Sequence, residues 1–349
     1  MNIYSVIKPI AFKLDPEKIH DMIIYTGAKK STIGLLPGFH NNCENLALNI
    51  NQFKWRTPVG LAAGFDKNGQ ALDFFSNIGF GAIEAGTITK LPQVGNDKPR
   101  IWRHPNLLSI QNAMGFPNQG ADKILENIKK RKIFNTTLGI NIGKNKNTTD
   151  LDTPSEYAYL YQKFAPIADY LVINISSPNT PGLRSFQKKE LLSPILEAVT
   201  LERTKIPKPL VLKISPDMDT KDIATLCELS KEFKLSGIIA TNTTADHKFG
   251  VGGLSGEYLR DKAFNTRKLV CENLREDKSQ IIIGVGAIES YQDIKDFWKL
   301  GGSFVQIYTS FIYQGPQILN TIYNEMRADM KKNQFLSVQE LYDNILMID

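Results

Sequence analysis

Eight short apolar segments constrain the fold of this chain more than any other feature of its sequence. They cover residues 58–64, 81–87, 138–143, 170–176, 210–215, 237–242, 281–288 and 303–309, and turn residues bound most of them. Segments with helical periodicity lie between them, at 120–132, 153–168, 189–204, 219–233 and 290–299. Continuous apolar strands that alternate with helices indicate a parallel sheet buried on both faces. Eight such units predict a closed (β/α)₈ TIM barrel, with a doubly wound open sheet as the main alternative.

Three pieces fall outside these units. Residues 1–40 are predicted to hold short helices around 5–12 and 15–30, and residues 90–115 form a long insertion. A capping box at 337–340 predicts a short C-terminal helix. We therefore divide the chain into a helical extension (1–40), a catalytic barrel (41–335) and a terminal helix (336–349).

The composition narrows the class of protein. Of the 349 residues, 42% are hydrophobic and 22% are charged, as in ordinary folded proteins. The net charge of +6 comes without a long basic run, which argues against a nucleic-acid partner. Cys43, Cys227 and Cys271 lie far apart, without metal or redox spacing, and fit a reducing compartment. We find no transmembrane-length apolar stretch, signal peptide or transit peptide.

Polar or glycine residues lie at the end of every predicted strand. In a barrel of this type, catalytic groups sit at the carboxyl ends of the strands. A single buried residue such as Lys213 or Asn141 is usually a structural group with a satisfied partner. Five or six that converge on one rim predict a site. The rim residues are Gly64 to Lys67, Gly86, Thr87, Asn141, Gly143, Lys144, Asn174, Ser176, Ser177, Asn179, Lys213, Thr241 to Thr243, Gly284 to Gly286, Tyr308 and Thr309.

The residue types at this rim indicate the chemistry. Strands seven and eight end in glycines and hydroxyls, which is typical of a phosphate site, although GVGAIE alone is a weak motif without its third glycine. Two kinds of side chain suit a ring with alternating C=O and N–H groups: five amides, Asn112, Asn141, Asn174, Asn179 and Asn242, and two lysines, Lys67 and Lys213. The strand ends carry no histidine and no acid cluster, which argues against a metal and against paired-carboxylate hydrolysis. The pattern predicts a phosphate-anchored cofactor beside a planar polar substrate.

Eight motifs carry a resemblance to a known family. They are LDPEKIH (14–20), GLAAGFDKNG (60–69), PQVGNDKPR (92–100), NAMGF (112–116), GINIGKNK (139–146), NISSPNTPGLR (174–184), ATNTT (240–244) and GGLSG (252–256). From about residue 10 to about residue 320, the chain resembles the dihydroorotate dehydrogenases, most of all the membrane-associated, quinone-reducing class 2. The resemblance implies that (S)-dihydroorotate is oxidised to orotate with FMN, and that a membrane quinone receives the electrons. It also implies peripheral attachment to the cytoplasmic side of the cell membrane, with no nucleic acid and no obligate protein partner.

The resemblance also implies roles for individual residues. Ser177 is the implied catalytic base, where class 1 enzymes have a cysteine, and Thr180 is a candidate proton relay. The implied FMN contacts are Ala63, Gly64, Phe65, Asp66, Lys67, Thr87, Asn141, Asn174, Lys213, Thr241, Gly256, Gly286, Ala287, Tyr308 and Thr309. The implied substrate contacts are Lys67, Asn112, Ala113, Met114, Gly115, Phe116, Asn174, Asn179, Asn242 and Thr243. Ala113 and Ala287 replace an arginine and a glycine common in the family, so we expect no side-chain contact from Ala113 and only a backbone contact from Ala287.

The N-terminal segment mixes basic residues with an apolar stripe, as a monotopic membrane helix would. The alternative is a helix that packs on its own barrel. The resemblance implies a quinone tunnel lined by His20 and Arg103, although from the residues alone either could be an ordinary surface group. Two other functions stay open: a class 1 type enzyme that uses fumarate or NAD, and a non-catalytic flavin or pyrimidine binder. Ser177 and the extension argue against the first, and Ser177 and Lys67 against the second.

Overall fold

A computed structural model describes residues 3–32, 40–133 and 135–347. The strands are β1 (Leu48–Ile50), β2 (Phe53–Trp55), β3 (Val59–Leu61), β4 (Ala82–Ile88), β5 (Ile101–His104), β6 (Ser109–Asn112), β7 (Thr137–Ile142), β8 (Tyr170–Asn174), β9 (Leu210–Ile214), β10 (Gly237–Ala240), β11 (Gly253–Gly256), β12 (Ile281–Val285) and β13 (Phe304–Ile307). The helices are α1 (Ile3–Ala11), α2 (Pro16–Lys29), α3 (Leu72–Ile78), α4 (Ala121–Ile128), α5 (Thr153–Phe164), α6 (Lys189–Lys205), α7 (Thr220–Glu232), α8 (Arg260–Leu274), α9 (Tyr291–Lys299), α10 (Thr309–Gln314), α11 (Gln317–Lys332) and α12 (Val338–Met347).

The eight predicted strands form a closed parallel barrel, which confirms the TIM-barrel prediction. Its strands follow one another in chain order as β3, β4, β7, β8, β9, β10, β12 and β13, and β13 closes on β3 with Val305 opposite Val59. The strand residues are buried throughout β8, β9, β10, β12 and β13. Such burial on both faces explains why these strands are continuous apolar runs rather than alternating ones.

The hairpin of β1 and β2 closes the amino end of the barrel. The Trp55 ring lies 4.4 Å from the Phe304 ring and 6.3 Å from the Tyr170 ring, measured between centroids. Phe304 and Tyr170 are the first residues of their strands. These aromatic rings fill the amino end of the barrel interior, and the polar rim lies at the opposite, carboxyl end.

The insertion at 90–115 forms part of a second, antiparallel sheet. Strands β5 and β6 pair with each other, and β11, which follows barrel strand β10, pairs with β6 so that Gly253 lies opposite Asn112. These strands were not predicted because β5 is half-buried along its whole length and presents no continuous apolar run. The sheet brings the NAMGF motif at 112–116 against the segment that follows β10.

The helices predicted from periodicity are confirmed, each to within a few residues. Asp219 caps α7 through a 2.8 Å hydrogen bond from the Asp222 amide, and Ser337 accepts from the Glu340 amide before α12. Helices α3, α8, α10 and α11 were not predicted. Of the predicted extension (1–40) and terminal segment (336–349), residues 1, 2, 33–39, 348 and 349 lie outside the described residues.

The two N-terminal helices dock on the barrel with only part of their surface. In α2, a Cβ added at Gly27 would lie 2.8 Å from the Phe74 ring of α3, so the two helices touch closely there. Large apolar side chains nevertheless stay exposed, and these are Val6, Ile7, Ile10, Leu14, Met22 and Tyr25. In the described ranges, no helix has both the length and the apolar character to cross a membrane.

Candidate active site

One cavity of about 460 Å³ joins the carboxyl ends of the barrel strands to the space beside α1 and α2. Most residues predicted for the site line it together. They are Ala63, Gly64, Phe65, Lys67, Thr87, Asn112, Met114, Gly115, Phe116, Asn174, Ser177, Asn179, Lys213, Thr241, Asn242, Thr243, Gly256, Gly286, Ala287, Tyr308 and Thr309, with His20 and Arg103. The fold thus brings the ends of seven barrel strands, all except β7, to the wall of one chamber.

Two predicted residues, Asp66 and Ala113, lie outside the cavity wall. The Asp66 carboxylate accepts hydrogen bonds from the backbone amides of Gln70 and Ala71 at 2.9 and 2.7 Å, and it shapes the loop before α3. Ala113 is buried, and its backbone bonds to Arg100. Ala113, which the resemblance placed among the substrate contacts, is not one of the residues that line the cavity.

Asn141 is a third predicted residue that is not part of the cavity wall. It lies just beneath the cavity and orients residues that do line it. Its Oδ1 accepts from Thr87 Oγ1 at 2.5 Å and from Asn174 Nδ2 at 3.1 Å. Asn174 Nδ2 also donates to Thr87 Oγ1 at 2.8 Å. This triangle aligns the ends of β4, β7 and β8, which leaves Thr87 and Asn174 in fixed positions on the cavity wall.

Glu84 is the centre of a buried polar cluster that the sequence reasoning missed. Its carboxylate accepts from Asn141 Nδ2 at 2.7 Å and from Gln306 Nε2 at 2.6 Å. Lys213 Nζ lies 3.6 Å from Oε1, and Tyr170 OH lies 3.5 Å from Oε2. A buried carboxylate needs such partners, and here it gives the lysine on the cavity floor a fixed counter-charge. The signal was present, because Glu84 is a charged residue inside the apolar run GAIEAGT.

The adjacent serines after β8 differ in their surroundings. Ser176 is fully buried; its hydroxyl lies 3.1 Å from Asn174 Oδ1 and accepts from Asn242 Nδ2 at 3.0 Å. Ser177 lines the cavity, and its Oγ accepts from the Asn179 amide at 3.2 Å. Ser176 therefore supports the wall, whereas Ser177 faces the space where a ligand would bind.

The loop that carries Ser177 is held from two sides. Arg184 Nε donates to Ser176 O at 3.0 Å, Nη2 donates to Thr243 O at 2.8 Å, and Nη1 pairs with Asp217 at 2.7 Å. These contacts tie the segment after β8 to the segment after β10. Arg184 was part of a quoted motif, but its role as a clamp could not be recognised before its partners were located.

Asn96 holds the same loop from the opposite side. Its Nδ2 donates to Ala113 O at 3.1 Å and to Asn179 O at 3.0 Å. In addition, Asn179 Nδ2 donates to Asn112 Oδ1 at 2.9 Å. The loop at 112–116 and the loop at 174–182 are therefore joined by side-chain amides, which places Asn112, Asn179 and Ser177 around one volume.

Lys67 supplies the positive charge of that volume, which we call the lysine–amide chamber and which is bordered by Lys67, Asn112 and Asn179. Its ammonium makes no ion pair with a carboxylate in the part of the chain described above, and burial lowers the pKa of Lys67 to about 8. The charges of Asp21 and Glu17 raise this pKa in part, and that of Arg100 lowers it. A lysine held this way can pair with the carboxylate of a small acid ligand at neutral pH.

The opposite end of the cavity is lined by glycine, alanine and hydroxyl groups. Gly286 and Ala287 have φ values of 102° and 50°, and within the described ranges their amide N–H groups have no hydrogen-bond acceptor. Thr309 Oγ1 lies 2.8 Å from Ser255 Oγ at the same end. Unpaired backbone donors beside small hydroxyl groups fit an anionic phosphate. We call this part of the cavity, lined by Gly286, Ala287 and Thr309, the phosphate end.

The channel beside α1 and α2 contains the two residues assigned to quinone access. His20 Nε2 lies 2.6 Å from Phe65 O, and burial, with a smaller contribution from Lys67, lowers the pKa of His20. Arg103 Nη1 donates to Leu14 O at 2.8 Å, and its guanidinium lies 4.7 Å from the Phe12 ring. Both side chains are therefore packed between the helices and the barrel mouth rather than free on the surface.

The donor set of the cavity fits a flavin mononucleotide and a small planar acid. The phosphate end offers free amides, the floor offers Lys213, and the buried Gln306 Oε1 still lacks a partner among the described residues. The volume lies in the range of ordinary ligand sites. Among the described residues, no group of three or more histidine, cysteine or acidic side chains is placed to hold a metal ion.

The barrel, the glycine- and hydroxyl-lined end and the lysine–amide chamber together are those of an α/β-barrel protein with room for a phosphate-bearing ligand beside a small acid. A family model for dihydroorotate dehydrogenase matches residues 45–330. The chain is 39% identical to a dihydroorotate dehydrogenase (quinone) of Idiomarina loihiensis, over 93% of this chain and 100% of that protein. The same identity holds for a protein of that name from Sulfurimonas denitrificans, over 97% of both chains.

Solved structures agree with these matches. A crystal structure of DHODH from Eimeria tenella in complex with ferulenol superposes with a TM-score of 0.85 at 33% identity, over 93% of this chain and 94% of that one. The ligand-free form gives a TM-score of 0.84 at 34% identity. The chain belongs to the dihydroorotate dehydrogenase family, and its resemblance to the quinone-type members is confirmed.

Proposed function

We propose that this protein oxidises (S)-dihydroorotate to orotate with FMN and passes the electrons to a membrane quinone, as a step of pyrimidine biosynthesis. The observation that carries this proposal is the single cavity, which places the lysine–amide chamber and the apolar channel beside α1 and α2 in one connected space. Its two ends offer a site for a polar acid and a site for a lipid-soluble acceptor.

The cofactor is proposed to lie across the strand ends, with its phosphate at the amides of Gly286 and Ala287. Lys213 and Thr87 line the floor beneath the proposed ring position, and Thr309 lines the phosphate end. FMN, when bound, supplies the acceptor for a hydride. The Glu84 cluster holds Lys213 in place, so that its charge is available to the ring without movement of the side chain.

Dihydroorotate is proposed to bind between Lys67 and the ring of side-chain amides. The Lys67 ammonium pairs with the substrate carboxylate, while Asn112, Asn179 and Asn242 present donors and acceptors to the C=O and N–H groups of the ring. Because Asn112 and Asn179 are already hydrogen-bonded to each other at 2.9 Å, little side-chain entropy is lost when the ligand binds.

Ser177 is the proposed base. Oxidation of the ring removes a proton from one carbon and a hydride from its neighbour, and Ser177 Oγ faces the chamber in which that proton would be released. Serine is a weak base in water, so the proton must move onward at once. Thr180 is the proposed next acceptor, since its hydroxyl is buried and has no partner among the described residues.

The N-terminal segment is proposed to serve the second half of the reaction, in which electrons pass from the cofactor to the quinone. Residues 1–40 form the segment that attaches peripherally to the cytoplasmic face of the cell membrane, with residues 41–335 as the catalytic barrel and 336–349 as a terminal helix. The exposed apolar side chains of α1 and α2 support this, because they would enter the lipid interface beside the channel mouth. His20 and Arg103 are proposed to border the path of the quinone.

The decisive experiment follows the flavin spectrum through two steps. The purified protein should be yellow, should bleach on anaerobic addition of dihydroorotate, and should recover its colour when a long-chain quinone is added. Recovery with fumarate or NAD instead would indicate a class 1 type acceptor. A yellow protein that dihydroorotate never bleaches would refute the enzymatic function and leave a flavin-binding protein.

A further inference from the structure

Arg267 of α8 is a buried cation behind the phosphate end of the cavity. Its side chain is 4% exposed, and its guanidinium lies 5.9 Å from the Phe297 ring. Within the described residues it forms no ion pair, and its Nε has no acceptor. The acidic group with the largest influence on it is Asp293, which is already paired with Arg260 at 2.8 Å.

Burial of a cation without a counter-charge is unfavourable, so Arg267 should have a functional partner that the protein does not supply. Burial lowers the pKa of Arg267 to about 10, although the charge of Asp293 raises it in part, and the group therefore stays charged at neutral pH. A carboxylate would be the usual solution inside a protein. Here the guanidinium instead faces the backbone of the cavity wall.

The contacts of Arg267 orient two peptide groups of that wall. Its Nη1 donates to Val285 O at 3.2 Å and to Gly286 O at 2.7 Å. In a trans peptide the N–H points away from the C=O, so the amides of Gly286 and Ala287 point away from Arg267. Both residues line the cavity, and both amides lack an acceptor in the described ranges.

The conformation of this short segment requires such support. Ala287 has a φ of 50°, in the left-handed region that a residue with a Cβ rarely adopts. The Thr241 amide also donates to Val285 O at 2.9 Å. Arg267 and Thr241 therefore hold the segment from behind, and its free amides stay aligned toward the cavity.

We propose that Arg267 is a positioning residue for the cofactor phosphate: it aligns the amides of Gly286 and Ala287 and provides, through one peptide layer, the charge that makes the site prefer FMN to unphosphorylated flavins. The phosphate dianion is the counter-charge that the buried guanidinium lacks. This inference rests on the proposed function, because it takes the ligand of the cavity to be a flavin.

The test compares FMN with riboflavin, which has the same ring but no phosphate. Flavin is removed from the full-length protein, and each ligand is titrated by fluorescence quenching against the wild type, Arg267→Met and Arg267→Gln. If the effective dielectric constant is set at about 20 and the separation at about 7 Å, loss of the cation should weaken FMN binding roughly 10- to 100-fold for each unit of phosphate charge. Riboflavin binding should be unchanged within error.

The variants separate charge from structure. Arg267→Gln keeps hydrogen-bond donors but no charge, so it should also lose the FMN preference, and it decides the matter if Arg267→Met does not fold. Lys268→Met, on the next and half-exposed position of α8, is the matched control and should bind both flavins like the wild type.

Two results would overturn the inference while leaving the proposed function intact. If FMN binding and riboflavin binding were weakened equally, Arg267 would be only a structural support of the loop. If FMN binding were unchanged, Arg267 would have no role at the phosphate. If the wild-type protein binds neither flavin, the proposed function fails and this inference fails with it.

Discussion

Raising the pH from 7 to 9 should weaken orotate binding about tenfold through one residue, Lys67. Burial lowers the pKa of this lysine to about 8, so its ammonium is almost fully protonated at pH 7. At pH 9 only about one molecule in ten carries the charge. Because a neutral amine cannot pair with the ligand carboxylate, the apparent affinity should follow the protonated fraction and fall about tenfold for each further pH unit.

The same linkage predicts proton uptake on binding. A bound carboxylate stabilises the ammonium form and raises the pKa of Lys67, so each orotate that binds should draw about half a proton from solution at pH 8 and close to one at pH 9. Asp21 and Glu17 already raise this pKa, whereas Arg100 lowers it. Their charges are constant between pH 7 and 9, so they set the midpoint of the curve but not its slope.

Two measurements check the prediction. Titration of the flavin absorbance with orotate gives the dissociation constant at each pH, and calorimetry in buffers of different ionisation enthalpy gives the proton count. Lys67→Met is the control, and it should bind orotate weakly at every pH. A wild-type affinity that stays flat between pH 7 and 9, or a Lys67→Met variant with the wild-type slope, would refute the assignment.

Three further outcomes follow from the site. Ser177→Ala should slow anaerobic flavin reduction by dihydroorotate about 10²- to 10⁴-fold in stopped-flow traces, with orotate affinity nearly unchanged. Ser176→Ala should retain a far faster reduction step, and the reverse order would mean that the base is assigned one residue off. Lys213→Ala leaves a buried carboxylate without its cation, so it should lower both the flavin content after purification and the stability, by about 3 kcal/mol in denaturant titrations. Ile10→Asp on exposed α1 should reduce co-sedimentation with anionic vesicles while flavin reduction is unaffected; Leu201→Asp, equally exposed at 66% but on α6, is its control, and equal losses in both variants would argue against a membrane face on α1.

The clamped loops explain why the chamber can be pre-formed. Arg184 and Asn96 hold the Ser177 loop from opposite sides through backbone carbonyls, so the loop has a defined position whatever occupies the cavity. Preorganised polar groups cost little reorganisation during reaction, which is the main source of electrostatic stabilisation in such sites. We therefore expect ligand binding to change side chains such as Lys67 more than the path of the backbone.

The sequence by itself determined the barrel and the identity of most cavity residues. Strand and helix periods are local properties, and eight parallel units with right-handed connections leave little freedom in how the sheet closes. Strand ends of a parallel barrel must meet at one rim, so the sequence alone predicts that Lys67, Asn174 and Lys213 lie close together. The different surroundings of Ser176 and Ser177 follow from local alternation along an extended chain.

Only the tertiary structure decided which polar groups support the site from behind. Glu84 and Gln306 are hydrogen-bonded although they lie 222 positions apart in the chain. Arg267 of α8 donates to the carbonyl of Gly286, which follows β12 and lies 19 positions further along the chain. No periodicity encodes such pairs, because the sequence around each residue does not indicate which distant residue is its partner. The short strands β5, β6 and β11 escaped prediction for a related reason. Their order depends on pairing between distant segments, and such pairing energy exists only once the barrel has placed those segments side by side.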